Sequence, residues 1–264
     1  VELEQGRYNI TKYLNFGQYN KTVMDFYQHL EACFSDYNLS AFYRNMKTLT
    51  LTTKKRNFSD YLESLIVKQP ASATYYNDTN TVHITEEENA STRSMINREL
   101  LRMATTREGE NVTFSGFSQY YKDKKISIGD ALNLGYTDYI NQKYFNRDYL
   151  DETNQNEQII AQGIENIVGS RIMESLYFAS DLRSLINELA KYTTIDNAMD
   201  LIRNFDRLQK QTIDESNKAR AYKELRQQIA DIYLAKQTQL LNSGTITEQQ
   251  FADRKIMHAD IYVN

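Results

Sequence analysis

The sequence predicts an α+β protein that is mostly helical, with a small β-hairpin or sheet near its middle and a helical bundle towards its C-terminal end. Three observations predict it. One proline and nine glycines across 264 residues leave few helix breaks. From about residue 154 onward, apolar residues recur at spacings of three and four. Two short β-rich runs around an Asn-Asp-Thr-Asn turn interrupt the helical pattern at residues 73–84. With 41% hydrophobic residues the chain can bury a substantial core, as one large domain or two closely packed lobes, and disorder is not expected.

Taken in order, residues 1–70 form an N-terminal helical region with amphipathic stretches at 23–34, 39–49 and 58–67, closed by Pro70. Residues 71–145 form a core region: the hairpin, a helix through 95–104, an irregular stretch at 109–129, and a helix from Leu132 to about Phe145. Residues 146–264 form a bundle whose apolar positions include Ile159, Ile160, Ile164, Ile167, Ile172, Leu176, Leu182, Leu185, Ile186, Leu189, Leu201, Ile202 and Phe205. A long helix over about 211–241 carries Tyr222, Leu225, Ile229, Ile232, Tyr233 and Leu240. It stops at Asn242-Ser243-Gly244, and residues 245–249 read as a short capped helix. The three regions are expected to pack as one unit.

Charge and composition exclude several functions. A net charge of -4 with no concentrated basic face argues against nucleic acid as the main partner, and the lysines at 122–125 read as solvated loop charges. No apolar run approaches the roughly 20 residues of a transmembrane helix. The first residue is Val and no signal peptide is visible. The compartment is therefore left open between the cytoplasm and a soluble fragment of a longer surface or secreted protein. A single cysteine, Cys33, excludes an internal disulfide. Lying with Leu30 and Phe34 in an apolar stripe, it reads as a buried structural cysteine.

Residues 95–104 read Met-Ile-Asn-Arg-Glu-Leu-Leu-Arg-Met-Ala. In the H-E-x-x-H pattern two histidines four apart on one helical face hold zinc, and the intervening glutamate is the general base toward the metal-bound water. Here the pattern is R-E-L-L-R. A guanidinium stays protonated and has no lone pair to give a cation. Together with the upstream hairpin and the later Leu132-Asn133-Leu134-Gly135-Tyr136-Thr137-Asp138, this order resembles bacterial gluzincin-like metallopeptidases. In that family an edge strand precedes H-E-L-L-H-M-A, and a later L-N-E-G-x-T-E segment supplies a glutamate as third ligand.

The resemblance covers residues 71–145. It implies a zincin-like scaffold with Arg98 and Arg102 at the two histidine positions, Glu99 at the general base and Leu134 at the third ligand. All three ligands are thereby lost, so no metal, cofactor or catalytic residue is expected. Asp138, four residues after Leu134, shares its helix side and is a candidate partner for the arginines. Arg98, Glu99, Arg102 and Asp138 are accordingly expected to form a salt-bridge cluster in place of the metal. Alternatively, the arginine pair grips an anion or carboxylate.

Other chemistry is sparse. His29, His83, His258 and Cys33 do not form a ligand set, and the acidic run at 86–88 reads as a helix start. Phosphate loops, dinucleotide fingerprints and nucleophile elbows are missing from the sequence. The resemblance therefore implies an inactive metallopeptidase-like protein, retained as a peptide- or protein-binding or regulatory module. Its former cleft would be lined by His83, Tyr120, Tyr121 and Tyr136, with residues 82–85 offered as an edge strand. Two alternatives stand beside it. One is a hydrolase with a relocated metal and Glu99 as base; the other is an assembly protein that uses its C-terminal helices.

Overall fold

A computed structural model describes residues 16–53, 73–85, 90–146, 154–210 and 215–262. It is α+β and mostly helical, and it divides into two compact units. Unit 1 comprises Val1–Glu108 with Ile140–Asp151, and unit 2 comprises Gly109–Tyr139 with Glu152–Asn264. The 71–145 region is thus shared between them.

Unit 1 opens with helices α1 (Asn20–Phe34) and α2 (Ser40–Met46). The buried positions of α1, among them Val23, Phe26, Tyr27, Leu30 and Phe34, form one stripe at helical spacing. Cys33 lies beside that stripe and is exposed, which corrects its assignment as a buried cysteine. Strands β1 (Thr50–Thr53), β2 (Ala73–Tyr76) and β3 (Thr81–Ile84) make a sheet of order β1-β3-β2, with β1 parallel and β2 antiparallel to β3. The β2–β3 hairpin turns through Asn80, whose φ of 48° is a left-handed conformation that asparagine tolerates. Because β3 is the central strand, residues 82–84 pair on both sides and cannot serve as a free edge, contrary to the expectation for 82–85. Strand β1 had no counterpart in the sequence reading. The expected helix at 58–67 and the acidic run at 86–88 lie outside the described residues.

The centre of unit 1 is α3 (Ala90–Thr105), followed by the short strand β4 (Arg107–Glu108). Thr92, Ser94, Ile96, Asn97, Glu99, Leu100, Leu101, Met103 and Ala104 are all buried, so the helix is enclosed around most of its circumference. The chain returns to this unit as a π-helical turn, Asn141–Phe145, where Phe145 stacks on Phe26 at 4.8 Å. Asn141 donates through Nδ2 to the Ser94 carbonyl at 2.9 Å, tying that turn to α3.

Unit 2 begins with an antiparallel meander, β5 (Val112–Ser115), β6 (Ser118–Tyr121) and β7 (Ile126–Ile128), where the sequence suggested an irregular stretch. Helix α4 (Asp130–Ile140) follows directly. Then come α5 (Gln155–Val168), α6 (Ser170–Phe178), α7 (Leu182–Leu189), α8 (Ile195–Lys210), α9 (Glu215–Asn242) and α10 (Glu248–Tyr262). The bundle positions read from periodicity are largely buried. In α6, however, Ile172 is exposed, and Met173, Tyr177 and Phe178 face inward. Helix α10 runs well beyond the short helix expected at 245–249. Its start is a capping box in which Thr247 Oγ1 accepts the Gln250 N–H at 3.2 Å and Gln250 Oε1 accepts the Thr247 N–H at 2.9 Å.

Candidate functional site

Helix α3 is fixed at its C-terminal end by side chains from α2 and the hairpin. Asn45 Nδ2 donates to the carbonyls of Met103 at 2.8 Å and Thr106 at 2.7 Å, adding to the bonds those carbonyls accept from the Thr106 N–H and from Arg44 as the helix ends. Asn80 Nδ2 donates in turn to the Asn45 carbonyl at 2.6 Å. These bonds join the hairpin turn, α2 and the C-terminal end of α3.

Within this frame Arg98, Glu99 and Arg102 converge. The Glu99 side chain is 2% exposed, that of Arg98 13% and that of Arg102 42%. Arg98 Nε donates to Glu99 Oε1 at 3.1 Å, and an Arg102 terminal nitrogen donates to Glu99 Oε2 at 2.8 Å. That same Oε2 accepts the backbone N–H of Tyr75 on edge strand β2 at 2.9 Å. The carboxylate therefore ties helix to sheet and binds both arginines. A buried charge is tolerable only when it is paired and hydrogen-bonded, and Glu99 meets both conditions.

Tyr75 lies beside this cluster. Burial pushes its hydroxyl up to about 12, against a weaker pull downward from Thr106, Arg102 and Arg44. Its hydroxyl donates to Asn80 Oδ1 at 3.0 Å. His83 faces the other side of the sheet, with Nδ1 at 2.7 Å from Thr52 Oγ1 and the exposed Tyr76 ring edge-on at 4.9 Å between centroids. Asn97 Oδ1 is buried in α3 and has no hydrogen-bond partner among the described residues.

The second half of the motif lies on α4 in unit 2, where nearly every residue has a structural task. Asn133 Oδ1 accepts the Phe117 N–H at 3.1 Å, fixing the β5–β6 turn. Gly135 lets α5 approach closely, since a Cβ there would sit 2.2 Å from the Glu157 carbonyl oxygen. The Tyr136 hydroxyl donates to Glu165 Oε2 at 2.7 Å, and Thr137 Oγ1 lies 2.8 Å from the Tyr177 hydroxyl. Asp138 is buried and accepts from Asn154 Nδ2 at 2.6 Å. Leu134, which the resemblance would place at a third ligand, is half-buried. Tyr136, read as a cleft-lining ring, is instead fully enclosed, and burial followed by the Glu165 charge pushes its hydroxyl well up. Tyr120 is exposed and Tyr121 half-buried on β6.

The N-terminus of α4 is anchored by two acids that the sequence reading did not single out. Asp206 accepts the N–H groups of Gly129 at 2.6 Å and Ala131 at 2.9 Å. It satisfies orphan donors from a helix some 75 residues away, as a side-chain cap would. Burial raises its carboxyl despite those two bonds. Asp130 accepts from Ser118 Oγ at 2.6 Å, from Ser127 Oγ, and from Lys210 Nζ at 2.9 Å. Burial pushes Asp130 up, but these donors and the lysine charge outweigh it and hold the carboxyl below its ordinary value. Nothing local announces Asp206 as a cap; its distance along the chain hides it.

Zinc does not fit the residues at the motif positions. Two guanidiniums and a leucine offer no lone pair, and among the described residues no three His, Cys, Asp or Glu side chains converge as a metal-binding group. No protein-family model matches the sequence, and no curated protein or solved structure is significantly similar to it.

Proposed function

We propose that this chain is a metallopeptidase-like scaffold whose metal site has been dismantled, and that it acts by binding or regulating a peptide or protein rather than by hydrolysis. One observation carries the reading. The carboxylate at the general-base position is buried and shared among Arg98, Arg102 and the Tyr75 N–H. A general base must hold the proton-bearing water within hydrogen-bond reach, and each Glu99 oxygen already accepts from the protein. Beside it, protonated arginines stand where a zinc-dependent enzyme needs neutral imidazoles.

The motif arithmetic supports the same reading from the other side. An isolated arginine pair on one helical face would repel and be costly to bury, whereas Glu99 between them turns the pair into a structural tie. The mode of ligand binding differs from strand addition at β3, because that strand is already paired on both sides. On β2 the Tyr75 N–H is engaged by Glu99.

The test is elemental analysis of the purified full chain, with a peptidase assay run before and after addition of zinc. The expected result is substoichiometric metal and no cleavage under either condition. About one tightly bound metal per chain, or zinc-dependent cleavage abolished by Glu99→Gln, would overturn the proposal and restore the hydrolase alternative.

A further inference from the structure

The β6–β7 hairpin of unit 2 brings exposed apolar and basic side chains together at its tip. Tyr120 is 42% exposed and Ile126 49% exposed, at the last turns of the two strands. Between them, Lys122, Asp123, Lys124 and Lys125 are all exposed, three cations and one anion at the tip of a chain whose net charge is -4. Sequence alone reads these lysines as ordinary solvated loop charges. What changes the reading is the exposed apolar area on either side of them.

The register decides how such a tip can be used. Tyr121 pairs with Ile126 and Tyr120 pairs with Ser127, so Ile126 shares a sheet face with Tyr121 while Tyr120 projects from the opposite face. The tip is therefore apolar on both faces and basic at its end. A hairpin meant to lie flat on a protein would gather its apolar residues on one face. One that enters end-on into a soft layer exposes them on both. A layer that accepts apolar side chains while presenting negative charge to surrounding lysines is the headgroup region of an anionic bilayer.

We propose that the β6–β7 hairpin is a peripheral membrane contact, in which Ile126 and Tyr120 enter the interface of an anionic lipid surface and Lys122, Lys124 and Lys125 meet the lipid phosphates. The contact is small, so binding is reversible and needs both the apolar and the basic components. It concerns unit 2 alone and is independent of the state of the arginine cluster. The described helices do not include one long and apolar enough to cross a membrane, so this contact would act at the surface.

The experiment is co-sedimentation of the full chain with vesicles of phosphatidylcholine alone or mixed with phosphatidylserine. Binding is expected only to the mixed vesicles and is expected to weaken as salt is raised. Removing two of the three lysines in Lys124→Gln/Lys125→Gln should weaken it about twenty-five-fold, taking each lysine as worth about five-fold. Because the chain has no tryptophan, Ile126→Trp supplies a single reporter at an exposed site, and its emission should shift to the blue on adding mixed vesicles. No binding to mixed vesicles overturns the proposal, as does binding that the double variant leaves unchanged. Hairpin-dependent binding to polyglutamate without binding to vesicles would overturn it too, and would assign the tip to an acidic protein.

Discussion

Units 1 and 2 both bury acidic side chains, but they neutralise them by different means. Glu99 in unit 1 accepts from two guanidiniums and a backbone N–H. In unit 2, buried Glu157 accepts from the Tyr222 hydroxyl, and buried Glu165 accepts from Tyr136 and from Tyr139 at 3.2 Å. Asp206 accepts from two backbone N–H groups. The difference teaches what each region has been built to hold. Cations beside Glu99 offset its charge but must themselves be kept paired. Tyrosine hydroxyls satisfy a carboxylate without adding charge, which suits a helical interior rich in rings. The abundance of tyrosine, twenty residues, thus has a use in unit 2 as internal hydrogen-bond donors as well as packing volume.

The largest test of this contrast is Glu99→Ala, which removes the buried carboxylate that two arginines and the Tyr75 N–H share. It should cost about 3–5 kcal/mol in urea denaturation, the range for breaking a buried ion pair. A loss no greater than that of a surface substitution would collapse the comparison. Tyr222→Phe should cost less, about 1–3 kcal/mol, because it withdraws a neutral donor from one buried carboxylate. Tyr136→Phe should cost about 1 kcal/mol, since Glu165 keeps Tyr139 as a second donor. If it costs as much as Tyr222→Phe, the two donors to Glu165 do not substitute for one another. Arg102→Gln should fall below about 1 kcal/mol and shrink further in salt, because that side chain is 42% exposed.

A separate effect appears only in alkali. Folded Tyr75 keeps its proton up to about 12, whereas the unfolded chain releases it near the ordinary 10.0. Its contribution is complete below the unfolded value and is lost as pH rises through the folded one. Stability should therefore fall between those two values, and Tyr75→Phe should flatten the slope measured by denaturation at stepped pH.

Much of the fold was legible because its determinants are local. The 73–84 hairpin follows from two β-rich runs and a turn of Asn and Asp, and the buried stripes of α7 and α8 follow from apolar spacing. The meander at 112–128 was missed because its strands are three or four residues long and carry Ser, Thr and Gln among their apolar positions. Cys33 and Ile172 were misplaced by the same weakness, since a position at the margin of a helical stripe can fall on either side of it. In the candidate site, the adjacency of Arg98, Glu99 and Arg102 was readable from spacing on one helix. The contributions of Tyr75, Asn45 and Asn80 were not, because Tyr75 and Asn45 reach α3 from other elements and Asn80 acts through them.

The sequence by itself determined that the chain is mostly helical, that the two arginines of R-E-L-L-R offer no lone pair to a metal, and that its apolar runs fall short of a membrane-spanning helix. These follow from residue chemistry and short-range periodicity, which folding does not alter. Tertiary structure alone decided that Glu99 is enclosed and shared among three donors, that β3 is central rather than an edge, that Asp206 caps α4, and that Tyr136 is buried. Those outcomes depend on which distant segments meet, and the energy of a buried charge or hydroxyl is set by its neighbours in space rather than along the chain.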